Sequence, residues 1–357
     1  MFTDSSKHFF VKNLLLWNTH DNSRVMPWKG EKDPYKIWLS EIILQQTRVE
    51  QGLAYYNRFI QSFPTVSDLA TAKEQKVFKL WEGLGYYTRC KNLIATAKII
   101  TQQYQNQFPT DYQSILLLKG IGPYTAAAIA SFAYNLPYAV VDGNVYRVLA
   151  RFFGIHNAVD TTEGKKIFNA LAQHLLDKKN PGIYNQAIMD FGAVVCKPKL
   201  PQCEICTLRN QCKALKQSTV EVLPLKSKSI EKKTRWLHFL VVQYKDSVFI
   251  RKRKAGDIWE NLYEFVPFQQ VQIIVSASAA LKKKIAQTLG TTQFTLTSIS
   301  PLQKQVLTHQ IIFGQFLHIQ LNEKIKLAEF EAVSLNKISK FAFPRFIDRY
   351  LPINVLK

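Results

Sequence analysis

The sequence predicts a multidomain protein in which an all-α region, residues 1–216, is joined by a linker, 217–233, to an α+β domain, 234–357. Three observations carry that prediction. Apolar residues recur at spacings of three and four through nearly all of the first 215 positions, the mark of amphipathic helices. The stretch from Gln217 to Lys233 is polar and charged, holds one proline and has no periodicity. Beyond it, short β-branched and aromatic runs surround a single helical pattern, as in an α+β domain.

The N-terminal run MFTDSSKHFFVKNLLLW lacks a secretory layout and reads as an amphipathic helix with Phe10, Leu14 and Trp17 on one side. Asp33-Pro34 starts a second helix, with Asp33 as N-cap and proline at the first helical position, and the pattern continues to Thr47. Leu93, Ala97, Ile100 and Tyr104 mark another helix, and Phe168, Leu171, Ala172 and Leu175 a further one. Between these, Gly120-Ile121-Gly122 forms a tight turn opening into an Ala-rich helix. Glycines let a backbone approach a ligand closely, and the N–H groups of the helix start favour an anion such as phosphate. A plain helix-start turn is the alternative reading. Twenty residues past Gly122 stands Asp142, directly before a helix expected from Val145 to Phe152.

After the linker, Trp236 to Val242 and Val248 to Arg251 read as strands separated by a Tyr-Lys-Asp-Ser turn. Leu281, Ile285 and Leu289 align on a helix, with strand-like runs near 292–299 and 311–321.

With 357 residues, 47% of them hydrophobic, the chain can bury a full core in two or three domains, and disorder is not the default. Lys and Arg number 47 against 26 acids, a net charge of +21. That imbalance calls for a polyanion partner, and nucleic acid fits better than an anionic membrane because no basic amphipathic anchor is present. No segment nears the roughly eighteen apolar residues of a membrane span. The expected setting is therefore a soluble, cytoplasmic monomer. There the thiols stay reduced and serve as ligands or buried side chains.

Four of the five cysteines crowd into one run, Cys196, Cys203, Cys206 and Cys212, spaced C-x6-C-x2-C-x5-C. Such a cluster signals a metal site. Four thiolates can wrap one zinc ion or one iron–sulfur cluster, and the spacing does not separate the two. Lys197, Lys199, Arg209 and Lys213 surround the quartet with positive charge that could face phosphates. Cys90 stands apart and reads as a small buried side chain.

At this point the residues resemble a known family. WLSEIILQQTRV (38–49), LWEGLGYYTR (80–89), LKGIGPYTAAAIASFA (118–133), VVDGNVYRVLAR (140–151) and MDFGAVVC (189–196) occur in the order seen in adenine DNA glycosylases of the MutY family, within the endonuclease III-like group. The resemblance covers the helical region nearly end to end and the C-terminal domain more loosely. It implies a helix-hairpin-helix glycosylase with a [4Fe–4S] cluster loop, plus a Nudix-like (MutT-like) lesion-recognition domain. The implied activity is base excision repair, hydrolysing adenine from double-stranded DNA where it pairs with 8-oxoguanine or guanine.

The same resemblance assigns roles to residues. Glu41, mid-helix between Ile37 and Leu44, would protonate adenine N7 and later assist the water; partial burial would keep it neutral. Asp142, at a helix N-terminus that favours its charged form, would face the cationic sugar. Tyr124 stands where strand-cutting relatives carry a Schiff-base lysine, so the chain looks monofunctional. Gln45 and Asn144 are hydrogen-bond formers beside the pocket. Gln46 and Tyr86 match positions that fill or wedge the duplex once the base has left the stack. Gly120 and Gly122 belong to the DNA-gripping hairpin. In the C-terminal domain, Leu307-Thr308-His309 stands where the family reads the lesion with Phe-Ser-His, and the aromatic is lost. No G-x5-E…R-E-x2-E-E run occurs, so pyrophosphate hydrolysis is not expected. The rival readings are a glycosylase of the same group with another base specificity, and a catalytically idle lesion binder.

Overall fold

The computed structural model describes residues 4–227 and 231–351. Residues 228–230 of the expected linker, and the outermost residues 1–3 and 352–357 of the two expected domains, lie outside the described residues. The chain divides into two compact units, Met1–Thr71 with Asn92–Ser229 and Ala72–Lys91 with Ile230–Lys357. No described helix is long and apolar enough to cross a membrane.

The helices run in chain order as α1 (Asp4–His20), α2 (Pro34–Leu44), α3 (Val49–Ser62), α4 (Val66–Thr71), α5 (Glu74–Trp81) and α6 (Tyr87–Gln103). Then come α7 (Tyr112–Leu117), α8 (Pro123–Tyr134), α9 (Gly143–Phe153), α10 (Thr162–Leu175), α11 (Pro181–Val194) and the short α12 (Lys213–Lys216). The division between units falls inside α6.

In the first unit the expected apolar faces are buried. Phe10, Leu14 and Trp17 of α1 pack against α9 and α11, with Phe10 4.9 Å from the Phe152 ring and Trp17 4.9 Å from Phe191. Phe168, Leu171, Ala172 and Leu175 turn into the same core. Helix α2 opens as predicted, Asp33 Oδ1 accepting from Tyr35 N at 2.9 Å. It ends at Leu44, three residues before Thr47, because the chain turns sharply at Gln46, whose φ of +57° lies in the left-handed region. The described part of the 217–233 segment is no free spacer. Leu223 is buried in this core, and Val159 N donates to Leu225 O at 3.0 Å.

The second unit contains β1 (Lys233–Trp236), β2 (His238–Tyr244), β3 (Ser247–Lys252), β4 (Tyr263–Glu264), β5 (Val266–Phe268), α13 (Ala279–Leu289) and β6 (Phe294–Ile299). It continues with β7 (Gln303–Val306), β8 (Gln310–Gly314), β9 (Phe316–Leu321), β10 (Glu331–Ser334) and α14 (Arg345–Asp348). One sheet has the order β10-β3-β2-β9-β6, with β2 and β9 parallel; β1, β8 and β7 form another. Period-two alternation sends Phe239 and Val241 to one buried face and Leu240 and Val242 to the other, which α13 covers with Ile285 and Leu289.

Two runs expected as continuous strands break where the chain changes sheet. Leu237 separates β1 from β2, and Gln315 separates β8 from β9. Gln315 is buried, and its side-chain amide bonds to Ile274 O, Ser300 O and Ile274 N, so a polar residue in an apolar run is spent on loop backbone. Residues 72–91, read from sequence as part of the helical region, group with the second unit. Lys79 Nζ and Glu82 Oε1 pair with Phe341 O and Phe343 N, at 3.1 and 2.7 Å. They satisfy backbone groups that lie outside any sheet.

Candidate active site

A cavity of about 650 Å³ in the first unit is lined by Glu41, Tyr124, Asp142 and Asn144 together with Gln45 and Gln46. Three helices, α2, α8 and α9, and the turn after α2 deliver these side chains. Helix α2 is buried on nearly every side, so Glu41 enters the interior with only 9% of its surface exposed. Burial pushes its carboxyl up to about 7; the Tyr124 hydroxyl, which hydrogen bonds to it, pulls the other way, and the nearby Asp142 charge adds to the rise. Tyr124, on the first turn of α8, also lies 3.5 Å from Met189 Sδ. Burial beside Glu41 and Asp142 drives its phenol well above the usual range. Gln45 Nε2 reaches Thr125 Oγ1 at 3.3 Å. Gln46, on the left-handed turn after α2, is exposed at the cavity margin.

Asp142 caps α9. Its Oδ1 accepts from Asn144 N and Val145 N, each at 2.8 Å, and Oδ2 accepts from Asn144 Nδ2 at 2.7 Å. The expectation that a helix N-terminus alone would lower this carboxyl is corrected. Burial raises it above the usual value, while the bonds from Val145 and Asn144 and the Arg147 charge oppose the rise. Both carboxyls are therefore shifted upward, because desolvation in this cavity outweighs the hydrogen bonds.

The Asp142 turn is clamped from behind. Arg147 Nη2 donates to Asn144 Oδ1 at 2.8 Å and to Gly192 O at 2.6 Å, and its Nε donates to Cys196 O at 2.7 Å. A Cβ on Gly192 would come within 2.7 Å of Asn144 Cβ and 2.9 Å of its carbonyl oxygen, so only glycine lets α11 approach this closely.

Sequence reasoning missed the wall opposite. Asp190 is fully buried and gathers Arg24 Nη1 at 2.8 Å, Lys29 Nζ at 3.1 Å, Asn22 Nδ2 at 3.0 Å and Gln186 Nε2 at 2.9 Å. This fastens the irregular 22–29 segment over the cavity that Arg24, Trp28 and Lys29 line. The available signal was an acid inside the apolar MDFGAVVC run.

The remaining candidates lie elsewhere. Gly120, with φ +78° and a would-be Cβ 2.7 Å from Asn92, and Gly122, the N-cap of α8, form an exposed hairpin between α7 and α8. Thr96 Oγ1 braces it through Lys119 O at 2.7 Å. In the second unit Tyr86, also left-handed with φ +49°, hydrogen bonds through its hydroxyl to Thr308 Oγ1 at 2.6 Å. Thr308 and His309 are exposed on the turn between β7 and β8, while Leu307 packs on the apolar core beneath.

Cys196, Cys203, Cys206 and Cys212 line one small cavity of about 30 Å³, with Arg151 and Arg209 beside them. Burial pushes the Cys206 thiol up to about 12 and raises Cys203 and Cys212, with the neighbouring cysteines adding to each rise. Arg151 ties this loop down, donating to Lys197 O at 2.7 Å and Leu223 O at 3.0 Å, with Nη1 3.5 Å from Cys196 Sγ. Among the described residues, no three His, Cys, Asp or Glu side chains are set to hold a single metal ion. Lys199, Arg209 and Lys213 are exposed around the quartet.

Comparison with known proteins adds to this geometry. Residues 39–175 match the HhH-GPD superfamily of base excision DNA repair proteins, and residues 238–352 match the NUDIX domain. The adenine DNA glycosylase of Buchnera aphidicola subsp. Baizongia pistaciae is 37% identical over 269 residues, which is 75% of this chain and 76% of that protein. Among solved structures, a thermostable thymine-DNA glycosylase superposes with a TM-score of 0.56 at 28% identity, over 60% of this chain and 98% of that one. A non-covalent endonuclease III–DNA complex gives 0.53 at 19% identity, over 61% of this chain and 99% of that one, a likeness of fold.

Proposed function

The chain belongs to the adenine DNA glycosylase family, within the HhH-GPD superfamily, and we propose that it hydrolyses adenine from pairs with 8-oxoguanine or guanine without cutting the strand. The observation that carries this reading is the buried Glu41, held neutral to about pH 7 and hydrogen bonded to Tyr124, in one cavity with Asp142.

The chemistry follows from those groups. The extruded adenine enters the cavity and Glu41 donates its proton to N7, so that the C1′–N9 bond breaks with its electron pair leaving on a neutral base. Positive charge develops on the sugar, and the Asp142 carboxylate, oriented by Asn144 and the α9 N–H groups, stabilises it. Water then adds to C1′ and gives its proton to the Glu41 carboxylate, which restores the acid. Tyr124 offers no amine, so no Schiff base forms and the abasic strand stays intact. The exposed Gln46, and Tyr86 with Thr308 and His309, act on the duplex and on the base opposite adenine. The enzyme works as a monomer on double-stranded DNA.

Single-turnover assays on duplexes carrying A:8-oxoguanine, A:G, A:T and T:G test this reading. Adenine should be released fastest from the first, with strand breaks appearing only after hot alkali. Thymine release from T:G would move the chain to a different base specificity. Binding without release of any base would make it an idle lesion binder.

The four cysteines fit a [4Fe–4S] cluster. They converge on one cavity beside Arg151 and Arg209, whose positive charge would offset that of a thiolate-held cluster. A bound cluster would supply a rigid, electron-rich cross-link for the basic loop. Cys203→Ser should lower the iron content and the brown visible absorption of the purified protein. A colourless protein holding zinc would refute the cluster.

A further inference from the structure

The loop that carries Tyr86 is shaped in advance by the chain around it. Between α5 and α6 the backbone takes three left-handed residues, Gly83 at φ +86°, Gly85 at +78° and Tyr86 at +49°. Glycine adopts that region freely, but a tyrosine there is uncommon and needs support from its surroundings. The buried Trp81 supplies some, its Nε1 donating to Gly85 O at 3.0 Å, and the Tyr87 hydroxyl accepts from Gly83 N at 3.2 Å. Arg89 N donates to Tyr86 O at 2.8 Å, and the Tyr86 hydroxyl is tied to Thr308 Oγ1. The Tyr86 side chain nonetheless belongs to a residue 46% exposed.

Arg89, on the first turn of α6, joins these parts. Its guanidinium carbon lies 5.2 Å from the centre of the Trp81 ring and 5.4 Å from that of Tyr86, and its Nη2 reaches Gly85 O at 3.4 Å. Trp81 is fully buried and gives the guanidinium a fixed platform. Burial lowers the Arg89 pKa to about 10, which leaves the group charged at neutral pH and partly stripped of water. A cation held out of water is drawn to an aromatic face more strongly than a solvated one. A planar guanidinium can meet two rings and still donate to a carbonyl in its own plane, whereas an ammonium is a point charge on a flexible stem.

We propose that Arg89 is a positioning residue for base extrusion: braced on Trp81, it holds the exposed Tyr86 ring in the orientation that enters the duplex as adenine leaves the stack. The inference rests on the reading of Tyr86 as the residue that wedges the duplex. A wedge ordered beforehand loses less rotamer freedom when it enters DNA, so more of its stacking energy offsets the cost of unstacking the base.

Fluorescence measurements on the full-length protein test this, with a duplex whose target base is 2-aminopurine opposite 8-oxoguanine. A 2′-fluoro sugar keeps that base attached, and 2-aminopurine brightens when it leaves the stack. Tyr86→Ala and Arg89→Met should each lower the extrusion equilibrium by about tenfold, the scale of a desolvated cation–π contact. Because Arg89 acts through the tyrosine, the double variant should extrude no worse than Tyr86→Ala alone. Arg89→Lys keeps the charge and the stem, so it should melt and bind undamaged duplex as wild type does, yet still extrude less. A loss from Arg89→Met that persists in full beside Tyr86→Ala would overturn the proposal. So would a weaker salt dependence of duplex binding in Arg89→Met, which would make Arg89 a phosphate contact. Extrusion kept by Arg89→Met but lost by Tyr86→Ala would overturn it and spare the wedge. Extrusion kept by Tyr86→Ala would remove the wedge reading, and the proposal with it.

Discussion

Glutamine in place of Glu41 should slow adenine release by about 10²- to 10⁴-fold in a single turnover, the usual worth of a positioned general acid, while lesion-duplex binding is kept. The side chain stays isosteric and can still accept from the Tyr124 hydroxyl, so the loss reports the proton and not the packing. The wild-type rate should rise with pH as Asp142 ionises and fall as pH climbs through about 7, where Glu41 ionises. A rate flat between about pH 6 and 9 would remove Glu41 from the acid role.

The same substitution has a stability signature. The folded-state pKa of Glu41, about 7, lies above its unfolded value, so the folded protein binds the extra proton between the two. The associated stability is complete below the unfolded pKa and is lost as pH rises through about 7, on the order of 3 kcal/mol in all. Glu41→Gln has no charge to bury. Thermal unfolding should therefore find it more stable than wild type at about pH 8, with the gap closing near pH 5. Equal melting temperatures at both pH values would mean that the carboxyl is better solvated than its burial implies.

Asp142→Asn is the second large effect. Asparagine is as good an N-cap as aspartate. Its Oδ1 should keep the bonds from the Asn144 and Val145 N–H groups and the α9 start should survive, although its Nδ2 cannot accept from Asn144 Nδ2. The negative charge beside the sugar is lost, and the adenine release rate should fall by about 10²- to 10³-fold or more. Removing that charge also removes one cause of the high Glu41 pKa, so the alkaline limb of the residual rate should move to lower pH. A variant with normal rate and shifted stability would reduce Asp142 to a helix cap. One with lost rate and an unmoved alkaline limb would mean the two carboxyls do not interact.

Sequence reasoning reached furthest where a short window carries the physics. The Asp33 and Asp142 caps, the α1 face of Phe10, Leu14 and Trp17, and the alternation through β2 each depend on neighbours within a few residues, and the structure contains them. Where the outcome depended on distant partners, it fell short. The end of α2 at Leu44 follows from a left-handed Gln46 that no periodicity marks. The Gln315 break follows from what its amide meets across two loops. Asp190 and its partners Arg24 and Lys29 lie more than 160 residues apart in the chain, and residues 72–91 group with a unit whose main body begins at Ile230.

By itself, then, the sequence determined that a helical region precedes one of mixed strands and helix, the crowding of four thiols, the surplus of positive charge and the residue types available for glycosidic chemistry. Those properties belong to composition and to local periodicity. Tertiary structure decided which of these groups share a cavity and that desolvation drives both Glu41 and Asp142 upward. The reason is physical: protonation depends on how much water the surrounding chain removes, and that is known only once segments far apart in sequence have packed together.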